Sequence, residues 1–202
     1  MTPTLSDGCI GEARPKVGIV IQRLAIFLGS RDGSDPQHAE SAYAVGRGLA
    51  ERGIELVYGG GGSGLMGQVS QGVLDHGGHV YGVIPRFMIE REWGRLHQEN
   101  VEMHVVETMH ERKARMAVRA DAFLVLPGGL GTLEEFFEVW TWRTLALHDK
   151  PIGLLNADGF WDPLVATLRG LATADFMAQV TIDELVVEST LDAALEALDA
   201  QR

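Results

Sequence analysis

The sequence predicts an α/β protein: a doubly wound parallel sheet between helices, a three-layer α/β/α sandwich. Two observations carry that prediction. Apolar runs of about five residues alternate with helix-spaced segments of about twelve, the rhythm of βαβ units. Leu24 to Leu28 and Ala122 to Leu126 are also unbroken apolar runs, as strands buried on both faces of a parallel sheet require. The 202 residues, 46% hydrophobic and 22% charged, suit a single water-exposed globular domain.

The elements follow in order. Leu24 to Leu28 is a buried strand that runs into the loop G-S-R-D-G. Pro36 to Arg52 carries Ala42, Val45, Leu49 and Ala50 at helical spacing, with Asp35 as its cap and Pro36 in the first turn. Glu55–Tyr58 is a strand entering G-G-G-G-S-G-L-M-G, and a helix continues to about Asp75. His79 to Ile84 is the third strand, stopped by Pro85, and Arg86 to Asn100 reads as polar and irregular. Val101–Val106 is a strand followed by a helix from Met109 to Ala120. Ala122 to Leu126 is the fifth strand, and its helix spans Thr132 to about Leu147. Pro151 to Leu155 with Phe160 to Leu171, then Leu185 to Glu188 with Leu191 to Leu198, repeat the unit. The expected architecture is Rossmann-like, with residues 1–22 as a loose tail and 23–202 as one domain.

Composition narrows the partners. A net charge of −11 argues against a nucleic-acid polymer, whose phosphates call for a basic surface. A small phosphorylated ligand needs only local donors and stays open, because distant charges are screened over about 8–10 Å. No apolar run approaches the roughly 18 residues of a membrane span. The N-terminus lacks the pattern of a signal peptide. The single cysteine, Cys9, leaves no internal disulfide, and a cytoplasmic location is expected. No histidine pair has metal-ligand spacing, no G-x-S-x-G elbow occurs, and neither a metal nor a cofactor is expected.

In open parallel sheets ligands bind beyond the carboxyl ends of the strands. Five segments should meet there: Gly29–Gly33, Gly59–Gly67, Pro85–Met88, Thr108–Lys113 and Pro127–Glu135. The run Gly59 to Gly67 contains G-x-G-x-x-G twice. The next strand ends in Val83-Ile84-Pro85, without the acid a dinucleotide ribose needs, and no Lys-Ser/Thr follows as in a P-loop. Either a tight turn or a backbone laid against a ligand explains it. Leu65 and Met66 are core or pocket wall.

P-G-G-L-G-T-L-E-E, Pro127 to Glu135, places glycine amides at a helix start, where the dipole favours an anion. Thr132-x-x-Glu135 also fits a capping box, with Leu133, Phe137 and Trp140 as the buried stripe. Alternatively Thr132 and Glu135, three apart on one face, meet a single ligand, with Glu134 pointing elsewhere. In M-H-E-R-K, Met109 to Lys113, cations in a first turn oppose the dipole. Glu111 and Lys113 can be a solvated face. Arg112, expected one strand over from Pro127–Glu135, can clamp a phosphate or orient a carboxylate.

Together M-H-E-R-K and P-G-G-L-G-T-L-E-E resemble the Lonely Guy family of cytokinin riboside 5′-monophosphate phosphoribohydrolases. F-L-G-S-R-D-G (Phe27–Gly33), Y-G-G-G-G-S-G-L-M-G (Tyr58–Gly67), V-I-P-R (Val83–Arg86) and H-D-K-P-I-G-L-L-N (His148–Asn156) fall in family order, so the likeness covers roughly Leu24 to Leu185. Leu28 stands where many members have cysteine, and Gly62-Ser63 departs from the usual Ser-x. The resemblance implies hydrolysis of the N-glycosidic bond of a nucleoside 5′-monophosphate by a homodimer. Arg112 and Glu135 take the catalytic positions, and Gly128, Gly129, Gly131 and Thr132 the phosphate-binding turn. Gly29, Ser30, Gly60, Gly61 and Gly62 are further candidates for phosphate and ribose, and Met66, Met109 and Lys113 for the pocket wall. Such sequences often carry the label lysine decarboxylase, but no lysine here sits in a pyridoxal-phosphate context. The rival reading is a non-catalytic carrier of a nucleotide or of the molybdenum cofactor, which shares the fold and a related turn.

Overall fold

The computed structural model describes residues 21–89 and 99–202. Seven parallel strands form one sheet: β1 (Arg23–Phe27), β2 (Glu55–Tyr58), β3 (Val80–Pro85), β4 (Val101–Val106), β5 (Ala122–Val125), β6 (Ile152–Leu155) and β7 (Val186–Glu188). The helices are α1 (Pro36–Glu51), α2 (Gly64–Asp75), α3 (Met109–Arg119), α4 (Leu130–Thr144), α5 (Asp162–Thr173), α6 (Gln179–Asp183) and α7 (Leu191–Asp199). Rossmann-like winding is thus what the chain adopts. Ile21 is buried in the core and Gln22 O accepts from Glu55 N, so both residues assigned to the tail belong to the packed fold. Of the segment read as irregular, Arg86–Met88 is a 3₁₀ turn, and residues 90–98 lie outside the described residues.

Alternation along each strand divides the core. Leu24, Ile26 and Leu28 pack with Leu49, Val69 and Leu195, under α1, α2 and α7. Ala25 and Phe27 face the other way, with Met116, Phe136 and Leu168 of α3, α4 and α5. Central β5 and β6 are buried at every residue, whereas edge strand β4 is mostly not. Asp35 caps α1 as its sequence predicts, its carboxylate accepting from Gln37 N at 2.9 Å.

Strand order is β4-β3-β2-β1-β5-β6-β7. The chain winds outward from β1 to β4, then returns through α3 and winds outward again from β5. The switch lies between β1 and β5, which pair from Leu24↔Ala122 to Phe27↔Val125. There the loops after β1 and β5 diverge into helices on opposite faces and leave a crevice. They are tied at its floor by Gly29 N donating to Pro127 O at 3.0 Å. This topology corrects one expectation: β4, which feeds Arg112, is separated from β5 by β3, β2 and β1. Arg112 reaches the Pro127–Glu135 segment because α3 crosses back over the sheet.

Candidate active site

Helix α4 starts two residues earlier than its sequence suggests and ends at Thr144, not near Leu147. Its N-cap is Gly129, at φ −102° and ψ −149° and without a side-chain cap. The first helical hydrogen bond runs from Leu133 N to Gly129 O, 3.0 Å. The amides of Leu130, Gly131 and Thr132 precede it and have no place in the helical ladder. Thr132 is therefore inside the first turn and cannot cap the helix. The T-x-x-E cap occurs instead on α3: Thr108 Oγ1 accepts from Glu111 N (3.1 Å), and Glu111 Oε2 accepts from Glu107 N (2.9 Å).

Freed from capping, Thr132 and Glu135 point inward and are buried, 4% and 6% exposed. They occupy part of the inward face with Phe136, Val139 and Trp140. The buried stripe is accordingly rotated from the one expected. Trp140 is core, Leu133 is partly buried, and Phe137 is exposed, its ring against Phe136.

Arg112 is 3% exposed. Its Nη2 lies 3.8 Å from Glu135 Oε1, an ion pair too long for a hydrogen bond. Its Nη1 meets only the sulfurs of Met88 (3.7 Å) and Met109 (3.9 Å), which are weak acceptors. Arg112 Nε has no hydrogen-bond partner among the described residues. A buried cation whose donors are so poorly matched is costly to the fold alone and fits an oxygen-rich, anionic ligand. The guanidinium is seated over Gly59, where a Cβ would come within 1.7 Å of Nη2.

These groups meet in one cavity of about 630 Å³. That size is ample for a mononucleotide. All five expected segments contribute to it. Of the predicted residues, Gly29, Ser30, Met66, Met109, Arg112, Gly128, Gly129, Gly131, Thr132 and Glu135 line the walls. Gly60, Gly61 and Gly62 do not; Gly60 packs against Ile84 and Met103. Lys113 does not line it either: its Nζ turns to Glu134 Oε1 (2.5 Å) and Glu138 Oε2 (2.9 Å). Burial disfavours its charged form, but the two carboxylates outweigh burial and raise its pKa.

The glycines of the turn differ in purpose. A Cβ on Gly128 would strike Thr132 Oγ1 at 2.1 Å, so packing demands glycine there. At Gly129 and Gly131 a Cβ would meet nothing within 4 Å. Neither has a left-handed backbone, so neither packing nor a positive φ gives a reason for glycine at either position.

The wall also holds Arg31, Asp32, Met88 and Leu130, which the expected segments contained without their being singled out, and Ser34, His38 and Phe160, which were not foreseen. Glu134, expected to point elsewhere, lines it as well, because it stands at the exposed start of α4. Arg31 and Asp32 lie in the quoted F-L-G-S-R-D-G segment and could have been found. His38 from α1 and Phe160 after β6 stack edge to face at 5.4 Å, a meeting that no local pattern announces. No three His, Cys, Asp or Glu side chains converge on a metal position among the described residues.

The family model described as "Possible lysine decarboxylase" matches residues 66–198. Over 170 residues the chain is 48% identical to cytokinin riboside 5′-monophosphate phosphoribohydrolase LOG of Oryza sativa subsp. japonica, covering 84% of this chain and 67% of that one. The chain belongs to the Lonely Guy family. Another Lonely Guy relative, the phosphoribohydrolase LOG3 of Arabidopsis thaliana, is 43% identical over 179 residues, covering 88% of this chain and 82% of its own. Among solved structures, the molybdenum cofactor carrier protein of Chlamydomonas reinhardtii superposes with a TM-score of 0.65 over 89% of this chain and 96% of its own. At 17% identity that likeness shows the fold alone. Neither described lysine of this Lonely Guy member suits the imine chemistry of a pyridoxal-phosphate decarboxylase. Lys113 is held charged between carboxylates, and Lys150, at the amino ends of the strands, donates to Ala117 O.

Proposed function

We propose that the chain hydrolyses the N-glycosidic bond of cytokinin riboside 5′-monophosphates and of AMP, releasing free base and ribose 5-phosphate. The observation that carries this reading is the buried Arg112–Glu135 pair, in one cavity with the uncapped glycine start of α4. The names of the relatives supply the substrate class.

In this reading the amides of Leu130, Gly131 and Thr132, with the Thr132 hydroxyl, hold the 5′-phosphate at the positive end of α4. Remote phosphate binding orients the sugar. Glu135, a turn further into the cavity, sits at the ribose. As the C1′–N bond breaks, C1′ becomes oxocarbenium-like, and a carboxylate beside it stabilises that charge selectively in the transition state. Water supplies the oxygen that bonds to C1′, and the base leaves with a proton. Arg112 aligns Glu135 or the phosphate through the donors that the protein leaves poorly matched. Glycine at positions 129 and 131 then has a reason, because a Cβ on either would stand in the phosphate's path.

Incubation with AMP and with isopentenyladenosine monophosphate, followed by chromatography for free base, tests the proposal. Release of either base with ribose 5-phosphate is expected. Binding without release would favour a carrier. We also propose that the chain acts as a homodimer in the cytoplasm. Exposed Leu145 and Leu147 at the exit of α4 are apolar groups a second copy could cover, and light scattering at twice the chain mass is the expected result.

A further inference from the structure

Lys113 and Arg112 are consecutive on α3, and Glu134 and Glu135 are consecutive on α4. One member of each couple faces the cavity chemistry, and the others join the two helices. The Lys113 side chain is 6% exposed; its Nζ donates to Glu134 Oε1 at 2.5 Å and forms an ion pair with Glu138 Oε2 at 2.9 Å. Glu134 and Glu138 are one turn apart, so a single ammonium grips α4 at two successive levels. Only the lysine is buried, and with the Glu134 side chain 51% exposed the pair is screened by solvent and adds little stability. What an ion clamp supplies is direction. Arg112 gains little direction from its own contacts among the described residues: Nη2 stands 3.8 Å from Glu135 Oε1, and Nη1 faces thioethers. Those contacts of Arg112 leave the guanidinium to be aimed by the helix that carries it.

We propose that Lys113, gripped by Glu134 and Glu138, is a positioning residue that sets α3 against α4 and so fixes Arg112 relative to Glu135. The inference rests on the hydrolase reading above. Glu134 also lines the cavity, and the same clamp offsets its charge where a phosphate must approach.

The test compares wild type, Lys113→Met, Lys113→Arg and Glu138→Gln for AMP turnover and, by calorimetry, for AMP affinity. Lys113→Met should lower kcat by about 10²-fold, the scale of an ångström's misplacement, with AMP affinity changed by no more than about threefold. Lys113→Arg, which keeps charge and reach, should recover most of the loss. Glu138→Gln, which leaves the Glu134 half of the clamp, should lose about tenfold and covers the case in which Lys113→Met does not fold. Turnover within about twofold of wild type in Lys113→Met or Glu138→Gln overturns the proposal. So does a loss that Lys113→Arg does not restore. If the wild type releases no base, the hydrolase reading fails by itself. The clamp is then judged by hydrogen exchange: faster exchange at the start of α4 in Lys113→Met supports it, and unchanged exchange overturns it.

Discussion

Gly131 lies in the first turn of α4, where a Cβ would meet no neighbour and where alanine is the better helix former by about 1 kcal/mol. If folding alone governed this position, Gly131→Ala would be harmless or stabilising. The phosphate reading predicts a split: thermal midpoint unchanged or raised, but KM for AMP increased about tenfold or more. A variant with wild-type KM would remove Gly131 from the anion cradle. Gly59 presents the opposite case, since its missing Cβ makes room for Arg112. Gly59→Ala should cost activity well beyond its effect on stability, because the displaced atoms belong to a side-chain end that can move. Residues of this kind were only partly legible in the sequence. The glycine runs announced a close approach, yet which glycines serve a ligand and which serve packing depends on contacts between distant segments. Gly59 and Gly60 look alike in sequence, yet Arg112 lies over the first and Met103 and Ile84 over the second.

At the scale of elements, the start of α4 carries the most information. The sequence contains the T-x-x-E pattern three times, at Thr108–Glu111, Thr132–Glu135 and Thr181–Glu184, and only the first forms a cap. The second begins after a glycine that already ends the loop, so its polar side chains are free to turn inward. Local pattern cannot separate the two cases, because the difference lies in the phase of the helix against the sheet. Removing the true cap by Thr108→Ala should destabilise the protein by about 1 kcal/mol, read as a lower denaturant midpoint. The far end of α4 is pinned by His148, whose Nε2 faces Val139 O at 3.0 Å while Nδ1 accepts from Lys150 N at 3.2 Å. One nitrogen donating and the other accepting requires neutral imidazole. Burial, assisted by Lys150 and Arg143, lowers the pKa of His148 despite the Val139 contact. Its folded value is thus below the unfolded one of about 6.5. The neutral form therefore contributes stability that is complete above that unfolded value and is lost as pH falls through the folded one. Urea midpoints should fall between pH 7 and pH 5 more steeply in wild type than in His148→Asn; equal slopes would contradict the assignment.

For the whole molecule, winding brings the site together. All seven strands were legible: β5 and β6, buried at every residue, read as unbroken apolar runs, and the half-exposed edge strand β4 shows by its place between Pro85 and the helix at Met109. So was the meeting of five loops at one sheet edge, which follows from parallel strands alone. The return of α3 over three strands was not legible, since alternation of strand and helix leaves strand order open. The short helix α6 was missed, its five residues being too few to show a period. Nor could the sequence say that His38 and Phe160 would meet over the cavity. A chain with a net charge of −11 that binds a dianion must do so through local donors, so binding should couple to the whole fold. In a Glu135→Gln variant that holds AMP without consuming it, AMP at about 100 times its dissociation constant should add about 2.7 kcal/mol and raise the melting temperature by about 5–10 °C. The same variant bears most directly on the central claim, that Glu135 stabilises the charged ribose and is not a structural acid. Adenine release from AMP by Glu135→Gln and wild type, measured alongside AMP affinity, decides it. The expected result is release reduced by at least about 10²-fold, with affinity retained. Undiminished release by Glu135→Gln would contradict the account.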